Sequence, residues 1–583
     1  MQRHRRLHLR LRRPALPPPA AADLPAGSAL NTTTVFAAHR IVTLEPGQPE
    51  ATHVAVRDGR VLAVGDLARM AAWGPFTLDE RFADRVLLPG FVEGHCHLAE
   101  GGVWRDVYLG WHERCGPDGR IWPALRSMAA VVERLREANV RMAAAGLGPE
   151  VPLVGWGFDP IYFGGERMTV RTLDAVDASP TARPIVIVHA NVHLLNANRT
   201  MLARAGIDEH VEVEGVGRFD DGQPDGELRE PAAMYLVFKH TGPVGPMAPL
   251  SDGALHDFGR IACRAGVTTA TDLVNKLTEA DLARLEAYAD DDEACRVRLL
   301  PAFQAFHGTH GAAAGAEYVA GLRTRSRERL RYGLVKMMLD GSIQGYSARL
   351  RWPGYVNGAA NGIWVTAPAQ YEADFETYHR AGLTIHTHTN GDEASEAAIE
   401  AIERVLARAP RPGHRHTLQH GQMIDRAQLR RMAALGLHAN LFPNHLWYWG
   451  DAHHDMTLGP DRAARMNACR SALDAGVPLA IHSDAPVTPL GPLFSVWCAV
   501  NRVTPAGRVL GSGERLTVDE ALHAVTLGPA ATLGLDGEIG SIAVGKRADF
   551  AVLAQDPRDM PPEALKDITV HGTVLGGRCF AAN

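Results

Sequence analysis

Leu87-Leu88-Pro89-Gly90-Phe91-Val92-Glu93-Gly94-His95-Cys96-His97-Leu98 is the stretch from which the rest of the chain is best read. A short apolar run meets a Pro-Gly break and then presents two histidines one residue apart. In an extended segment alternate side chains share a face, so His95 and His97 point the same way, about 6.6 Å apart along the strand. One metal ion can accept both imidazoles from that arrangement. Alone the pair is weak evidence, because a chain with 27 histidines produces such spacings by chance, and two satisfied histidines at a strand end is the plainer reading. Its weight comes from the residues that accompany it further along.

The surrounding composition narrows the classes. At 583 residues, 46% hydrophobic and 22% charged, the chain has the make-up of an ordinary globular protein with two or three structural units. A net charge of -6 offers no basic field for nucleic acid, so a small molecule is the expected partner. No segment is long and apolar enough to predict a membrane span. The seven cysteines are odd in number, scattered and free of C-x-x-C spacing, which fits reduced thiols in a cytoplasm. Residues 1–30 carry Arg3, Arg5, Arg6, Arg10, Arg12 and Arg13 ahead of a Pro/Ala-rich segment, with no apolar core of a secretory signal behind them. They read as a disordered basic leader.

Working outward from the histidine pair, both ends of the chain carry short apolar segments punctuated by Gly and Asp. Around residues 34–44 and 52–62, the latter turning at Arg57-Asp58-Gly59-Arg60, and again around 540–553 and 570–575, these segments predict hairpins. Residues 31–88 and 530–583 are therefore expected to form one composite β-sandwich domain, since chain ends often lie together. Between them strand-like runs alternate with helical patterns. Eight strands are predicted at 86–95, 267–273, 297–303, 334–339, 383–388, 416–420, 437–441 and 477–483, with helices such as 394–408 and 426–435 between them. The fold class is thus α/β, a (β/α)8 TIM-like barrel over 89–103 and 251–529, with a large inserted domain at 104–250.

In such a barrel the chemistry belongs at the carboxyl ends of the strands. Those ends supply His95 and His97, then Lys336, His388, His420 and Asp484. All but the lysine are metal-ligand types; a lysine must be carbamylated to join them, because an ammonium would be repelled by divalent ions.

These motifs, P-G-F-x-x-x-H-x-H at 89–97, the Lys336 to Asp340-Gly341-Ser342 segment, His388 before Gly391-Asp392, His420, Leu458-Gly459-Pro460-Asp461-Arg462-Ala463, Ser483-Asp484-Ala485-Pro486-Val487 and the 540–549 turn, resemble the amidohydrolase superfamily. Within it they are similar to the metal-dependent hydrolases that include N-substituted formamide deformylases, from about residue 34 to the end. The resemblance implies a cytoplasmic hydrolase cleaving a C–N amide bond of a small molecule, an N-substituted formamide or similar amide, by metal-activated hydroxide. It implies two zinc ions per chain, one on His95, His97 and Asp484 and one on His388 and His420, bridged by carbamylated Lys336. Asp484 would be the catalytic proton carrier. Two positions depart from the common pattern: Glu93 stands where Asp is usual, and His482 where Gly is usual.

Further pocket candidates each carry a plainer reading. His189 and His193 share a face of a strand-like run and either line the pocket from the inserted domain or simply pack. His445 follows the seventh strand among aromatics that suit an apolar substrate group or a core. Glu230 is either a pocket residue or a surface ion pair, and His482 either reaches the substrate or packs. A one-metal version with bare Lys336 stays open, as does a mononuclear deaminase using His95, His97, His388 and Asp484. A non-catalytic regulator ranks last, since every ligand position is filled. A homodimer is the commonest expectation for such a chain.

Overall fold

The Pro89-Gly90 break is where the chain passes from one sheet to another. A computed structural model describes residues 32–164, 166–305 and 311–582; the leader expected at 1–30 lies outside them. Phe76–Pro89 runs in a terminal sheet and Phe91–Cys96 in a parallel one. Gly90 lies between, its N–H bonded to Asp549 O at 2.8 Å. A Cβ at Gly90 would fall 2.1 Å from Thr268 Oγ1, so only glycine lets the two sheets approach there. The predicted strand at 86–95 is therefore two strands.

The terminal sheet has seven strands in the order Arg578–Ala581, Val570–Leu575, Phe550–Leu553, Phe76–Pro89, Thr33–Val42, Glu50–Arg57 and Arg60–Gly65. Both chain ends thus share one sheet. The predicted hairpin turns at Asp58 and Gly59, with φ of 53° and 70°. Two positive φ values match the turn that the right-handed strand twist favours. Alternation buries Val54, Val56, Val61 and Val64 against Phe36, Ile41 and Phe550.

The central strands pair in parallel. One set orders as Arg298–Leu299, Val267–Asp272 and Phe91–Cys96, and the other as Phe303–Gln304, Leu334–Met338, Thr384–Thr389, Thr417–His420, His438–Leu441 and Leu479–Ile481. The run predicted at 297–303 is split around Pro301, which has no N–H to give to a ladder. The sets join on one side through the Asn275↔Phe303 bridge. On the other side Asp484 N–H bonds His95 O at 3.2 Å and His97 N–H bonds Ala485 O at 2.7 Å. This brings the carboxyl ends of the first and last strands together. Helices pack outside: Asp392–Arg408 buries Ala394, Ala398, Ile399 and Ile402, spaced for one face, and Arg426–Leu435 opens on an Asp425/Gln428 capping box and closes on Gly436 at φ 70°.

The inserted stretch builds its own six-stranded sheet, in the order Val216–Arg218, Pro224–Arg229, Leu194–Ala197, Ile185–His189, Leu153–Phe158 and Val107–Tyr108. Period-two alternation sends Ile185 and Ile187 to a core with Val131 and Leu135 of helix Met128–Ala144, and Val186 to a second core with Met201 and Leu228. All seven cysteines are free thiols. Among the described residues no helix is long and apolar enough to cross a membrane.

Candidate metal centre

The strand ends converge. His95 Nε2 lies 3.3 Å from Asp484 Oδ1, 3.4 Å from Lys336 Nζ, and its ring is 4.6 Å from that of His420. His97 Nε2 is also 3.3 Å from Asp484 Oδ1. His420 Nδ1 is 3.6 Å from Asp484 Oδ2. Asp484 Oδ1 is buried and accepts no hydrogen bond, although two imidazole nitrogens face it. Donors bound to one tetrahedral ion at about 2.0–2.1 Å stand about 3.3 Å from one another, so this trio has the spacing and chemistry of a divalent cation site. The donor atoms of His95, His97 and Asp484 lie within 4.8 Å of one another, as do those of His95, His420 and His482.

Two of these residues are held in backbone strain. His420 has φ 66° and Asp484 φ 55°, a left-handed conformation that typically costs a non-glycine residue about 1–3 kcal/mol. His95 donates from Nδ1 to Gln419 Oε1 at 2.9 Å, and Asn440 donates to the same oxygen at 2.8 Å. That fixes the His95 tautomer and leaves the Nε2 lone pair facing the centre. Glu93, the departure from Asp, has a clear use. Its two carboxylate oxygens accept from the Ser483 N–H and hydroxyl, each at 3.0 Å, tying the first strand to the residue before Asp484. Burial pushes the Glu93 carboxyl up to about 8, against those two donors.

The electrostatics follow from enclosure. Burial, with neighbouring cationic groups second, holds His95, His388 and His420 well below the ordinary imidazole value, so they stay neutral and able to ligate. Burial opposes charge on His97 as well, yet the nearby carboxylates of Asp272 and Asp484, at 3.4 and 3.3 Å, outweigh it and carry His97 up to about 9. Lys336 is 2% exposed, and burial pulls its amine down to about 7 against the pull of Asp484 and Asp272.

His388 is brought against His420, rings 4.4 Å apart. Its Nε2, however, faces Gly341 O and the Asn390 amide, both at 3.2 Å. Asp340 locks that corner by accepting the Asn390, Gly391 and Arg349 N–H groups at 2.9, 2.9 and 3.0 Å. Among the pocket candidates, His193 Nδ1 meets Glu230 Oε2 at 2.9 Å with its ring 5.5 Å from His388, so this pair reaches the centre from the inserted sheet. Glu230 is itself strained, at φ 61°, and its Oε1 is buried without a partner beside Gly341. His189 is bonded to Asn196 inside the inserted sheet. His445 packs between Phe442 and Trp449, at 4.5 and 4.7 Å. His482 stacks on His95 at 4.8 Å.

Sequence reading missed three contributors. Asp272, 3.4 Å from His97 Nδ1, ends the strand Val267–Asp272, within the run predicted at 267–273, and an acid near that strand end was the available signal. Gln419 beside His420 gave none. Arg114 of the inserted stretch donates to Glu100 at 2.8 and 3.0 Å and to Pro486 O at 2.5 Å, clamping the segments that follow His97 and Asp484.

A family model described as the amidohydrolase family matches residues 83–581. The chain belongs to the amidohydrolase family. This amidohydrolase, an enzyme of carbon–nitrogen bond hydrolysis with donors for a divalent metal, is 26% identical over 558 residues to the N-substituted formamide deformylase of Arthrobacter pascens, covering 90% of this chain and 94% of that one. It is 24% identical over 538 residues to the putative amidohydrolase YtcJ of Bacillus subtilis (strain 168), covering 90% and 95%. In fold it is similar to an uncharacterized metal-dependent hydrolase from Pyrococcus horikoshii OT3, with a TM-score of 0.66, 19% identity, and 91% and 99% of the two chains covered.

Proposed function

We propose that this amidohydrolase hydrolyses the C–N bond of a small amide, with N-substituted formamides as the first class to try. The observation that carries the reading is the bare, buried Asp484 Oδ1 equidistant from His95 Nε2 and His97 Nε2. The substrate class follows the name of the Arthrobacter pascens relative. In this reading His95, His97 and Asp484 would hold one zinc ion and His388 and His420 a second, with Lys336, once carbamylated, as a further ligand. The unprotonated Lys336 amine, the form burial favours, adds to the carbon of carbon dioxide and loses one proton, turning a neutral amine into an anion. A bound divalent ion supplies Lewis acidity, lowering the pKa of water and polarising a carbonyl oxygen. Asp484 takes the proton that water releases and returns it to the leaving nitrogen. His193, steadied by Glu230, orients the substrate, and His445 and His482 line the remaining wall.

The same reading closes the two parallel sheets into one (β/α)8 barrel over 89–103 and 251–529. Residues 31–88 and 530–583 then make the composite β-sandwich domain and 104–250 the inserted one. The setting is cytoplasmic, the partner a small molecule, and the assembly a homodimer.

One observation favours a second reading. The His193–Glu230 pair is what a mononuclear deaminase on His95, His97, His388 and Asp484 would use to move protons at an amidine-like carbon. Protein purified without chelator should carry two zinc equivalents, yield a Lys336 peptide with the added mass of a carboxylate, and release amine and formate from N-substituted formamides. One equivalent, a bare lysine and ammonia release would replace the amide reading with the deaminase.

A further inference from the structure

His97 and Asp484 are the most open of the candidate ligands. Their side chains are 18% and 11% exposed, against 2%, 7% and 3% for His95, His388 and His420. Packing alone therefore holds them least, and what ties them together lies one step behind. The His97 N–H bonds Ala485 O at 2.7 Å, and the Glu100 N–H bonds His97 O at 3.0 Å. Glu100 and Pro486, each just beyond one of the two residues, then meet the same side chain. Arg114 donates from Nη2 to the two Glu100 carboxylate oxygens at 3.0 and 2.8 Å, and from Nη1 to Pro486 O at 2.5 Å. Its Nε has no partner, so among the described residues every hydrogen bond of this guanidinium goes to those two segments. The side chain is 6% exposed, with its guanidinium carbon 5.1 Å from the ring centre of Trp156, on strand Leu153–Phe158 of the inserted sheet, and 5.7 Å from that of Trp104. A buried ion pair is no better for packing than apolar side chains of like volume, so packing does not call for this one. Its distinctive property is geometric: a planar fork reaches a carboxylate and a carbonyl at once, which no other side chain does.

We propose that Arg114 is a positioning residue for the metal centre: by joining Glu100 to Pro486 it holds His97 and Asp484 at the separation one divalent ion requires, and so makes the inserted stretch part of that centre. This rests on the reading of His95, His97 and Asp484 as ligands of one ion. Arg114 acts through the two loops. The Trp156 and Trp104 rings keep its fork in the plane that meets both acceptors.

The test uses the whole chain as Arg114→Lys and as the double variant Arg114→Met with Glu100→Leu. Lysine keeps a charge opposite Glu100 but is a point donor that cannot span both acceptors. The double variant removes the buried pair altogether, so no lone buried charge is left to unfold the protein. Cobalt(II) affinity by chelator competition and the cobalt(II) visible spectrum are compared with the wild type, with circular dichroism melting curves reporting the fold. Each folded variant should bind cobalt at least about tenfold more weakly, with a changed spectrum, and the double variant should do so even where its melting temperature equals that of the wild type. Where one variant fails to fold, the other decides. If the wild type binds cobalt and a folded variant stays inside that tenfold with its spectrum unchanged, Arg114 only packs the inserted stretch against the centre and the inference falls alone. A wild type that binds no divalent metal would overturn both the inference and the metal-centre reading beneath it.

Discussion

Two ends of the same parallel strands are rich in histidine and are built on opposite rules. At the amino ends, His379 donates from Nε2 to Ala409 O at 2.7 Å and accepts at Nδ1 from His416 Nε2 at 2.9 Å. His416 Nδ1 in turn accepts the Ile385 N–H at 3.1 Å. His414 accepts the His416 N–H at 2.9 Å and donates to Leu435 O at 2.9 Å. Every ring nitrogen of the three has a protein partner, in one consistent set of neutral tautomers. At the carboxyl ends, His482 has none and Asp484 Oδ1 faces two nitrogens without a hydrogen bond. Between these two clusters histidine content does not differ; whether the ring and carboxylate atoms find protein partners does. Buried polar groups are normally satisfied, so a cluster of unsatisfied ones is a place prepared for something else.

Breaking the comparison at its functional end should have the largest effect. Asp484→Asn keeps the side-chain shape but removes the anion and, with it, the proposed proton carrier, so kcat/KM is expected to fall by about 10³-fold with loss of bound metal. Steady-state kinetics and metal analysis of the purified variant check this, and near wild-type activity would remove Asp484 from the mechanism.

Asp159 sharpens the contrast, being a buried acid like Asp484 whose two oxygens are both satisfied, by Ile161 N–H at 3.1 Å and Trp449 Nε1–H at 2.9 Å. Burial nonetheless pushes its carboxyl from the ordinary 3.8 up to about 6. An acid whose folded value is raised holds its proton more tightly when folded. Its contribution to stability is full below about 3.8 and is lost as pH rises through about 6, a change of at most about 3 kcal/mol. Denaturant unfolding from pH 4 to 7 should show that decline in the wild type and a flatter profile in Asp159→Asn; identical profiles would refute it.

At the opposite end, His416→Phe should lower stability by about 2 kcal/mol, since it strands the Ile385 N–H and one His379 nitrogen, while metal content and KM stay unchanged. Calorimetry beside metal analysis tests this. A variant that loses metal would show that the two ends are coupled and that the comparison is too simple.

Much was legible before any coordinates. The positions of most central strands, the helices after the fifth and sixth of them, the Asp58-Gly59 turn and the run of ligand-type residues at strand ends are local matters. Each depends on spacing within a few residues, which the chain carries wherever it folds. What remained out of reach has long sequence separation. Gln419 meets His95 across 324 residues, and Ser483 meets Glu93 across 390. Whether His189 faces the pocket or Asn196, and whether Glu230 is a surface acid or part of a buried pair, depends on how the inserted sheet packs against the centre. The sequence by itself determined which chemical groups arrive at the strand ends, because periodicity and residue type are covalent facts. Only the tertiary structure decided which of those groups are satisfied by protein and which are left facing one another, because hydrogen-bond partnership is set by packing between distant segments.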